Sequence, residues 1–150
     1  MNRVAIIGAG RFGMALAESL SESGVEVLLV ERNGSLVQSA INVVASAVQG
    51  DATNARALED AGLGECEVAV VAIGSNVEAS LLATANCKEL GVGTVIAKAT
   101  SELHGKILEK LGAGTRTRRC RARSSCRVRT TRSTRTTSSS CSAPRSRSTP

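Results

Sequence analysis

The chain has 150 residues, a formal net charge of +6 at pH 7 and one aromatic residue, Phe12. This length allows one domain with a substantial core, and no apolar run is long enough to cross a bilayer or to act as a signal peptide. Five cysteines without a CxxC pair and a single histidine, His104, give a zinc site too few ligands. We therefore expect reduced thiols in a cytoplasmic protein that is not itself inserted into a membrane.

The net charge averages two unlike segments. Residues 1–114 hold 8 Lys and Arg against 13 Asp and Glu, a net of −5. Residues 115–150 hold 11 Arg and no acid, a net of +11. The first segment is predicted to form one folded domain, and the second a separate basic tail.

The first twenty residues predict a strand, a turn and a helix. Arg3 to Ile7 is a short apolar run, after which Gly8, Gly10 and Gly13 mark a turn and the apolar residues from Phe12 onward take helical spacing. In such a GxGxxG motif the first glycine makes the tight turn and the second lets the backbone approach a pyrophosphate. The third lets the helix pack closely on the strand. The start of the helix offers unpaired N–H groups, so the motif predicts an anion site.

A second apolar run, Val25 to Val30, ends in Glu31. An acid at the tip of the second strand can accept hydrogen bonds from both hydroxyls of an adenosine ribose. The same acid disfavours a 2′-phosphate, so NAD, ATP and ADP are favoured over NADP. The alternative is an ordinary strand–helix turn in which Glu31 is merely solvated.

The remaining segments alternate between helical and strand patterns. Their expected bounds are a helix from Ser35, a strand Ala45–Gln49, a helix Asn54–Ala61, a strand Val68–Ile73, a helix Asn76–Leu90, a strand Val95–Lys98 and a helix Leu103–Leu111. Strict alternation with short links predicts an α/β fold, a Rossmann-like doubly wound parallel sheet of five to six strands in the order 3-2-1-4-5. The ligand crevice is then expected where the order reverses, at the carboxyl ends of strands one and four. The loops at that edge are Gly8–Gly13, Glu31–Asn33, Gly50–Thr53 and Gly74–Asn76.

Local signals add three expectations for the helices. Ser35 with Gln38, and Ser75 with Glu78, are expected to form capping boxes. His104 is expected on the surface of the last helix. The helix that follows the fourth strand is expected to bury its larger apolar residues, which are Val77, Leu81, Leu82, Ala85 and Leu90.

Five ordered segments within residues 1–113 carry a family resemblance: GAGRFG, VERN, GDATN, VVAIGSNVEASLLATANCKELGV and VIAKATSELHGKILEKLGA. Together they resemble the N-lobe of RCK domains, the TrkA-N type of nucleotide-binding regulators of potassium transport. The segments RFG and HGKILEKLGA resemble the KtrA branch of this family more closely than the TrkA branch. The resemblance implies a regulatory subunit, not an enzyme, that binds ATP or ADP, or else NAD+ or NADH. Arg11 favours a triphosphate, whereas Glu31 suits either ligand, so ATP and ADP are the preferred cofactors.

The resemblance also implies partners and a place in the cell. The chain would gate a membrane potassium transporter as part of a homo-oligomer, a dimer that builds an octameric ring. It would lie in the cytoplasm, at the inner face of the cell membrane, through its contact with the transporter. Gly8, Gly10 and Gly13 would hold the phosphates and Glu31 the ribose, while Arg11 would approach the terminal phosphate of ATP, often across a dimer interface.

The expected cofactor-binding residues come from the four loops, from the residue before the last of them, and from the end of the fifth strand. They are Gly8, Ala9, Gly10, Arg11, Phe12, Gly13, Glu31, Arg32, Asp51, Ala52, Thr53, Ile73, Gly74, Ser75, Asn76 and Lys98. Other interpretations stay open, with Arg11 as a solvated residue of the first helical turn and with Asp51, Asn76 and Glu78 as helix caps. No catalytic residue and no metal ligand is predicted.

The tail, residues 115–150, is expected to be disordered. Ordering its backbone costs about 1–2 kcal/mol per residue, whereas burying its single valine, Val128, returns about 1.5–3 kcal/mol. It is either a binder of RNA or anionic lipid, an inert extension, or the product of a shifted reading frame. We favour the shifted frame, because Arg, Ser, Thr and Cys are what GC-rich codons give out of frame.

A shifted reading of the codons for Thr136–Pro144 supports this hypothesis. It can spell Asp-Leu-Val-Val-Leu-Leu-Gly-Ala, which resembles the last strand of an RCK C-lobe. A slip near Ala113 would remove the sixth strand, the helix that locks the dimer and the family's acidic metal-binding residue. Two other functions are alternatives: a fragment of an NAD-dependent oxidoreductase, for which no acid or base can be named, and a nucleic-acid binder acting through the tail. Nucleic acid is not the partner that we favour.

Overall fold

The computed structural model describes residues 2–117. The predictions of disorder, nucleic-acid binding and a shifted frame concern mainly residues from 118 onward, which lie outside the described residues. The elements in chain order are β1 Arg3–Ile7, α1 Arg11–Glu22, β2 Glu26–Glu31, α2 Gly34–Ala40, β3 Ser46–Gln49, α3 Ala55–Asp60, a 3₁₀ turn Leu63–Glu65, β4 Val68–Val71, α4 Val77–Glu89, β5 Thr94–Ala99, α5 Glu102–Lys110 and β6 Gly114–Thr117.

The strands form one parallel sheet in the order β3-β2-β1-β4-β5-β6. This confirms the predicted Rossmann-like fold and the order 3-2-1-4-5. Ile7 of β1 pairs with Val30 on one side and with Val71 on the other, so the strand order reverses at β1. The carboxyl ends of these strands therefore meet at one edge, where a crevice is expected.

The expectation that the sixth strand is missing was wrong. Residues 114–117 form β6, which pairs in parallel with β5 and places Thr115 beside Ala97. A strand at the edge of a sheet needs only its backbone N–H and C=O groups to pair, and threonine favours the extended conformation. The sheet thus continues past residue 114, into the segment that had been assigned to the tail.

Helices pack on both faces of the sheet, and the sheet separates the core into two clusters. Ile6, Val27 and Leu29 belong to the cluster under α1 and α2, while Ile7 and Val30 belong to the larger cluster under α3, α4 and α5. Burial on both faces explains why the strands are continuous apolar runs. The larger cluster also holds two free cysteine thiols, those of Cys66 and Cys87. Burial raises the pKa of Cys66 and raises the pKa of Cys87 to about 12.

Both predicted capping boxes were wrong. The N-cap of α2 is Asn33, whose side-chain oxygen accepts from the N–H of Ser35 at 3.0 Å. The N-cap of α4 is Asn76, whose side-chain oxygen accepts from the N–H of Ala79 at 3.1 Å. Asparagine caps a helix at least as well as serine, and at each site it lies where the backbone is still extended.

The buried face of α4 also differs from the prediction. Val77 and Leu82 are each 43% exposed. The residues that face the sheet are small or polar, namely Ser80, Ala83, Thr84 and Cys87. Small side chains let the helix lie close to the strands, and the hydroxyl of Thr84 is satisfied within the helix by the carbonyl of Ser80 at 2.7 Å.

His104 is buried, not on the surface, with 2% of its area exposed. Ser101 caps α5 by accepting from the backbone N–H of His104, which turns this side chain back toward the end of β5. There its Nδ1 lies 3.2 Å from the backbone nitrogen of Thr100 and accepts that N–H. Burial lowers the pKa of His104. Within residues 2–117, no helix combines the length and the apolar character needed to span a membrane.

Candidate functional site

A cleft of about 740 Å³ lies at the carboxyl edge of the sheet, where the strand order reverses. All four loops that the topology assigned to this edge contribute to it. Its lining residues are Ile7, Gly8, Gly10, Arg11, Phe12, Val30, Glu31, Arg32, Leu36, Gly50, Asp51, Ala52, Thr53, Ala72, Ile73, Gly74, Ser75, Asn76, Glu78, Ala79, Leu82 and Lys98.

The glycine turn joins β1 to the start of α1. Gly8 has a φ of +101°, a conformation that favours glycine. At Gly13 an added Cβ would overlap the carbonyl oxygen of Gly8, so the helix can approach the strand only because this residue has no side chain. Gly10 is the N-cap of α1 and makes no side-chain cap, and apart from its two chain neighbours no residue has an atom within 4 Å of a Cβ placed there. The start of α1 therefore has no capping side chain, and Gly10, Arg11 and Phe12 line the cleft, an arrangement suited to an anion.

Glu31 ties two of the cleft's loops together. One carboxylate oxygen accepts from the backbone N–H of Ala9 at 2.6 Å, and the other accepts from the N–H of Asn33 at 2.9 Å. A carboxylate has about four acceptor positions, so two remain for hydroxyl donors. Glu31, the acid expected to bind a ribose, thereby fixes the glycine turn and the β2–α2 turn relative to one another.

The loop after β3, residues Gly50–Thr53, is closed by Asp51. Its Oδ1 accepts from the side-chain hydroxyl of Thr53 at 2.7 Å and from the backbone N–H of Thr53 at 2.9 Å. These bonds, with a smaller contribution from the charge of Arg32, lower the pKa of Asp51. The alternative that Asp51 is a helix cap was wrong, because Asn54 caps α3.

Three cations line the cleft: Arg11, Arg32 and Lys98. The ammonium of Lys98 lies 5.7 Å from the centre of the Phe12 ring, within the range of a cation–π contact. It also lies 3.2 Å from the position of a Cβ at Gly74, so the absence of a side chain there leaves room for the lysine. Arg11 therefore lies at the glycine turn, and Lys98 lies beside the turn after β4.

Most of the expected residues line the cleft, but two do not. Ala9 is 2% exposed, and its backbone N–H donates a hydrogen bond to the carboxylate of Glu31. Gly13 lies beneath Gly8 and serves packing. Asn76 has both of its assigned roles, since it caps α4 and lines the cleft.

Eight lining residues were absent from the expected set: Ile7, Val30, Leu36, Gly50, Ala72, Glu78, Ala79 and Leu82. Gly50 belongs to the predicted loop Gly50–Thr53 although it was not among the expected site residues. Ile7, Val30 and Ala72 lie within two residues of the predicted loops, so a wider window around each loop would have included them. Leu36 and Leu82 lie within helices, so they can be recognised as lining residues only when the orientation of α2 and α4 is known. Within the described part of the chain, no group of three His, Cys, Asp or Glu residues is placed to hold a metal ion.

Comparison with known proteins identifies one family and several solved structures with a similar fold. The family model of the TrkA-N domain matches residues 4–117. The Ktr system potassium uptake protein C of Bacillus subtilis (strain 168) is 42% identical over 109 residues, which are 73% of this chain and 49% of that protein. The chain spans about half the length of the curated relatives it matches.

Two solved structures of GsuK superpose on the fold. GsuK bound to ADP has a TM-score of 0.65 and 26% identity, covering 77% of this chain and 30% of that one. The GsuK channel bound to NAD has a TM-score of 0.66 and 26% identity, covering 78% of this chain and 21% of that one.

Proposed function

Because this chain belongs to the TrkA-N domain family, we propose that it is the nucleotide-sensing regulatory domain of a potassium uptake system. One observation carries the proposal: a single cleft brings together the glycine turn, Glu31 and the loop Gly50–Thr53, at the ends of three adjacent strands. This spatial order matches that of phosphate, ribose and base in an adenine nucleotide. The names of the relatives, a potassium uptake protein and GsuK bound to ADP or NAD, support the same function.

The cleft suits the parts of a nucleotide in turn. The uncapped start of α1 and the guanidinium of Arg11 take the phosphates. The free acceptor positions of Glu31 take the ribose hydroxyls, and the residues Asp51–Thr53 take the base. Val30 and Leu36 give the base an aliphatic environment, in a chain whose only aromatic residue is Phe12.

ATP and ADP are the preferred ligands, with NAD+ and NADH second. Arg11 supplies charge-assisted hydrogen bonds that a terminal phosphate uses more fully than a nicotinamide ribose does. The bound nucleotide is sensed and not converted, and the domain acts on a membrane potassium transporter as part of a homo-oligomer. Its place is then the cytoplasmic side of the membrane, through that transporter.

Isothermal titration of the full chain with ATP, ADP, NAD+ and NADH tests the proposal. The expected result is saturable binding of one nucleotide per chain, strongest for ATP or ADP. Absence of saturable heat at millimolar concentrations of all four ligands would overturn the proposal. Conversion of any of them by the chain would favour the oxidoreductase or another enzyme.

Glu31→Ala provides a matched test of the site within the same titrations. Hydrogen bonds to a charged group contribute about 1.5–3 kcal/mol each, so affinity for all four ligands should fall roughly ten- to hundredfold. Glu26→Ala is the control, because Glu26 lies at the opposite end of β2, 3.2 Å from the guanidinium of Arg3. Unchanged affinity in Glu31→Ala would contradict the assignment of the ribose to this carboxylate.

A further inference from the structure

We propose that Asn86 is a positioning residue for the loop Gly50–Thr53 and that it sets the discrimination between bases in the cleft. The inference rests on the proposed function, because this loop reads a base only if a nucleotide occupies the cleft. Asn86 lies on α4, outside the lining of the cleft, and acts through the loop.

The contact that carries the inference is a hydrogen bond between distant parts of the chain. The side-chain amide of Asn86 donates to the backbone carbonyl of Ala52 at 3.0 Å, across 34 residues of sequence. Asparagine is unfavourable inside a helix unless its amide finds a partner. Here Asn86 is half-buried beside Cys87, which is fully buried, and its partner is the loop carbonyl.

This bond completes the fixation of one peptide group. The peptide unit between Ala52 and Thr53 has its carbonyl held by Asn86 and its N–H held by Asp51. The N–H of Gly50 is in turn bonded to the carbonyl of Glu31 at 3.0 Å, which anchors the start of the loop to β2. The loop is therefore fastened from the strand side by β2 and from the helix side by Asn86.

A fixed loop matters because bases differ in the placement of their donors and acceptors. A site whose hydrogen-bonding groups are held in place rejects a ligand that mispairs with them, whereas a loosened site adapts to both. Adenine and guanine exchange donor and acceptor positions along one edge, so they probe this property directly. Pyrophosphate, which lacks a base, probes the glycine turn alone.

The expected effect of losing the amide donor is specific to the base. A single hydrogen bond contributes about 0.5–1.5 kcal/mol net, so affinity for ADP should fall about two- to tenfold in Asn86→Asp, which keeps the shape of the side chain but has no donor at neutral pH. The ratio of the dissociation constants for GDP and ADP should move toward one. Affinity for pyrophosphate should stay within about twofold of the wild type, because the bonds of the glycine turn are untouched.

The experiment titrates ADP, GDP and pyrophosphate into the full chain as wild type, Asn86→Asp, Asn86→Ser and Glu89→Ala. Glu89 is exposed on the same helix, which makes its variant the control for a general disturbance of α4. Asn86→Ser removes the long-range contact without adding charge, so one variant remains informative if the other does not fold. Amide hydrogen exchange at Thr53 provides a readout that needs no ligand, and it should become faster in both Asn86 variants.

The outcomes separate the two proposals. A reduced preference for ADP over GDP with unchanged pyrophosphate binding, and faster exchange at Thr53, supports the role of Asn86. A wild-type preference that persists in folded Asn86 variants overturns this role and leaves the proposed function standing. A wild-type chain that binds no nucleotide at all overturns the proposed function, and with it the assignment of Asn86 to base discrimination.

Discussion

At the residue scale, the carboxylate of Glu31 couples two loops by direct hydrogen bonds to Ala9 and Asn33. Both bonds form within the protein without a ribose, so the loops are already ordered before a ligand binds. Binding energy from the ribose hydroxyls is then available as affinity. The acid at the tip of β2 therefore serves both as a structural tie and as a candidate ligand group.

Arg11 and the terminal phosphate can be tested by comparing two nucleotides. Arg11→Ala should weaken binding of ATP more than that of ADP, because the guanidinium is assigned to the phosphate that only ATP carries. Calorimetric titration of both ligands measures this difference. Arg56→Ala, which removes an exposed arginine outside the cleft lining, is the control and should leave both affinities unchanged. Equal losses for ATP and ADP would contradict the assigned role.

Two glycines of the same turn should respond differently to alanine. Gly13→Ala places a methyl group onto the carbonyl of Gly8, so the free energy of unfolding should fall by about 1–3 kcal/mol. Gly10→Ala meets open space at a φ of −69°, so stability should be unchanged, but the methyl group stands where phosphate approaches and affinity for ADP should fall. Urea unfolding and ADP titration of the two variants check both statements. A Gly13→Ala chain as stable as the wild type would show that α1 does not depend on this close approach.

At the element scale, the loop between β5 and α5 depends on a neutral histidine. His104 accepts the N–H of Thr100 through Nδ1, which requires the ring proton on Nε2. Protonation of Nδ1 would set two donors against each other. Burial acts in the same direction and lowers the pKa of His104 from its ordinary value of 6.5.

The pH dependence of stability follows from this shift. Because the folded state binds the proton less well than the unfolded state, His104 imposes no penalty above pH 6.5 and destabilises the fold as the pH falls below that value. The melting temperature of the wild type should therefore drop more between pH 7 and pH 5 than that of His104→Gln. His104 is the chain's only histidine, so the difference between the two profiles isolates its contribution. Parallel profiles would contradict a buried neutral histidine.

The sequence indicated the strands better than it indicated the helix faces. Strands such as β2 are continuous apolar runs because both faces are buried, and this pattern survives without knowledge of the fold. In α4 the rule failed, because Leu82 is exposed and lines the cleft, while Ser80 is buried on the face that lies against the sheet. The loops of the cleft were predictable from topology, whereas the tie between Asn86 and Ala52 depends on contacts across 34 residues that no local pattern encodes.

At the scale of the whole molecule, the fold and its tail can be separated by truncation. A chain that ends at Thr117 keeps every strand among the residues that the structure describes, and it should bind ADP as the full chain does. A chain that ends at Ala113 lacks β6 and leaves the backbone of β5 as an open edge, so it should melt at a lower temperature. Thermal unfolding and ADP titration compare the two. Equal melting temperatures would show that β6 adds no stability.

The origin of the tail stays a prediction. Resequencing of the gene across codons 105–150 tests the shifted frame, and an in-frame result in independent clones would end that hypothesis. Salt-dependent binding of RNA by the full chain that disappears in the chain ending at Thr117 would instead favour the nucleic-acid binder.

The position of Phe12 has a practical consequence. This ring is the chain's only aromatic side chain, it lies on the lining of the cleft, and the ammonium of Lys98 rests beside its face. Replacement of phenylalanine by a fluorinated analogue would therefore introduce one fluorine nucleus into the entire protein. Its single NMR line would need no assignment, and its shift would follow occupancy of the crevice directly.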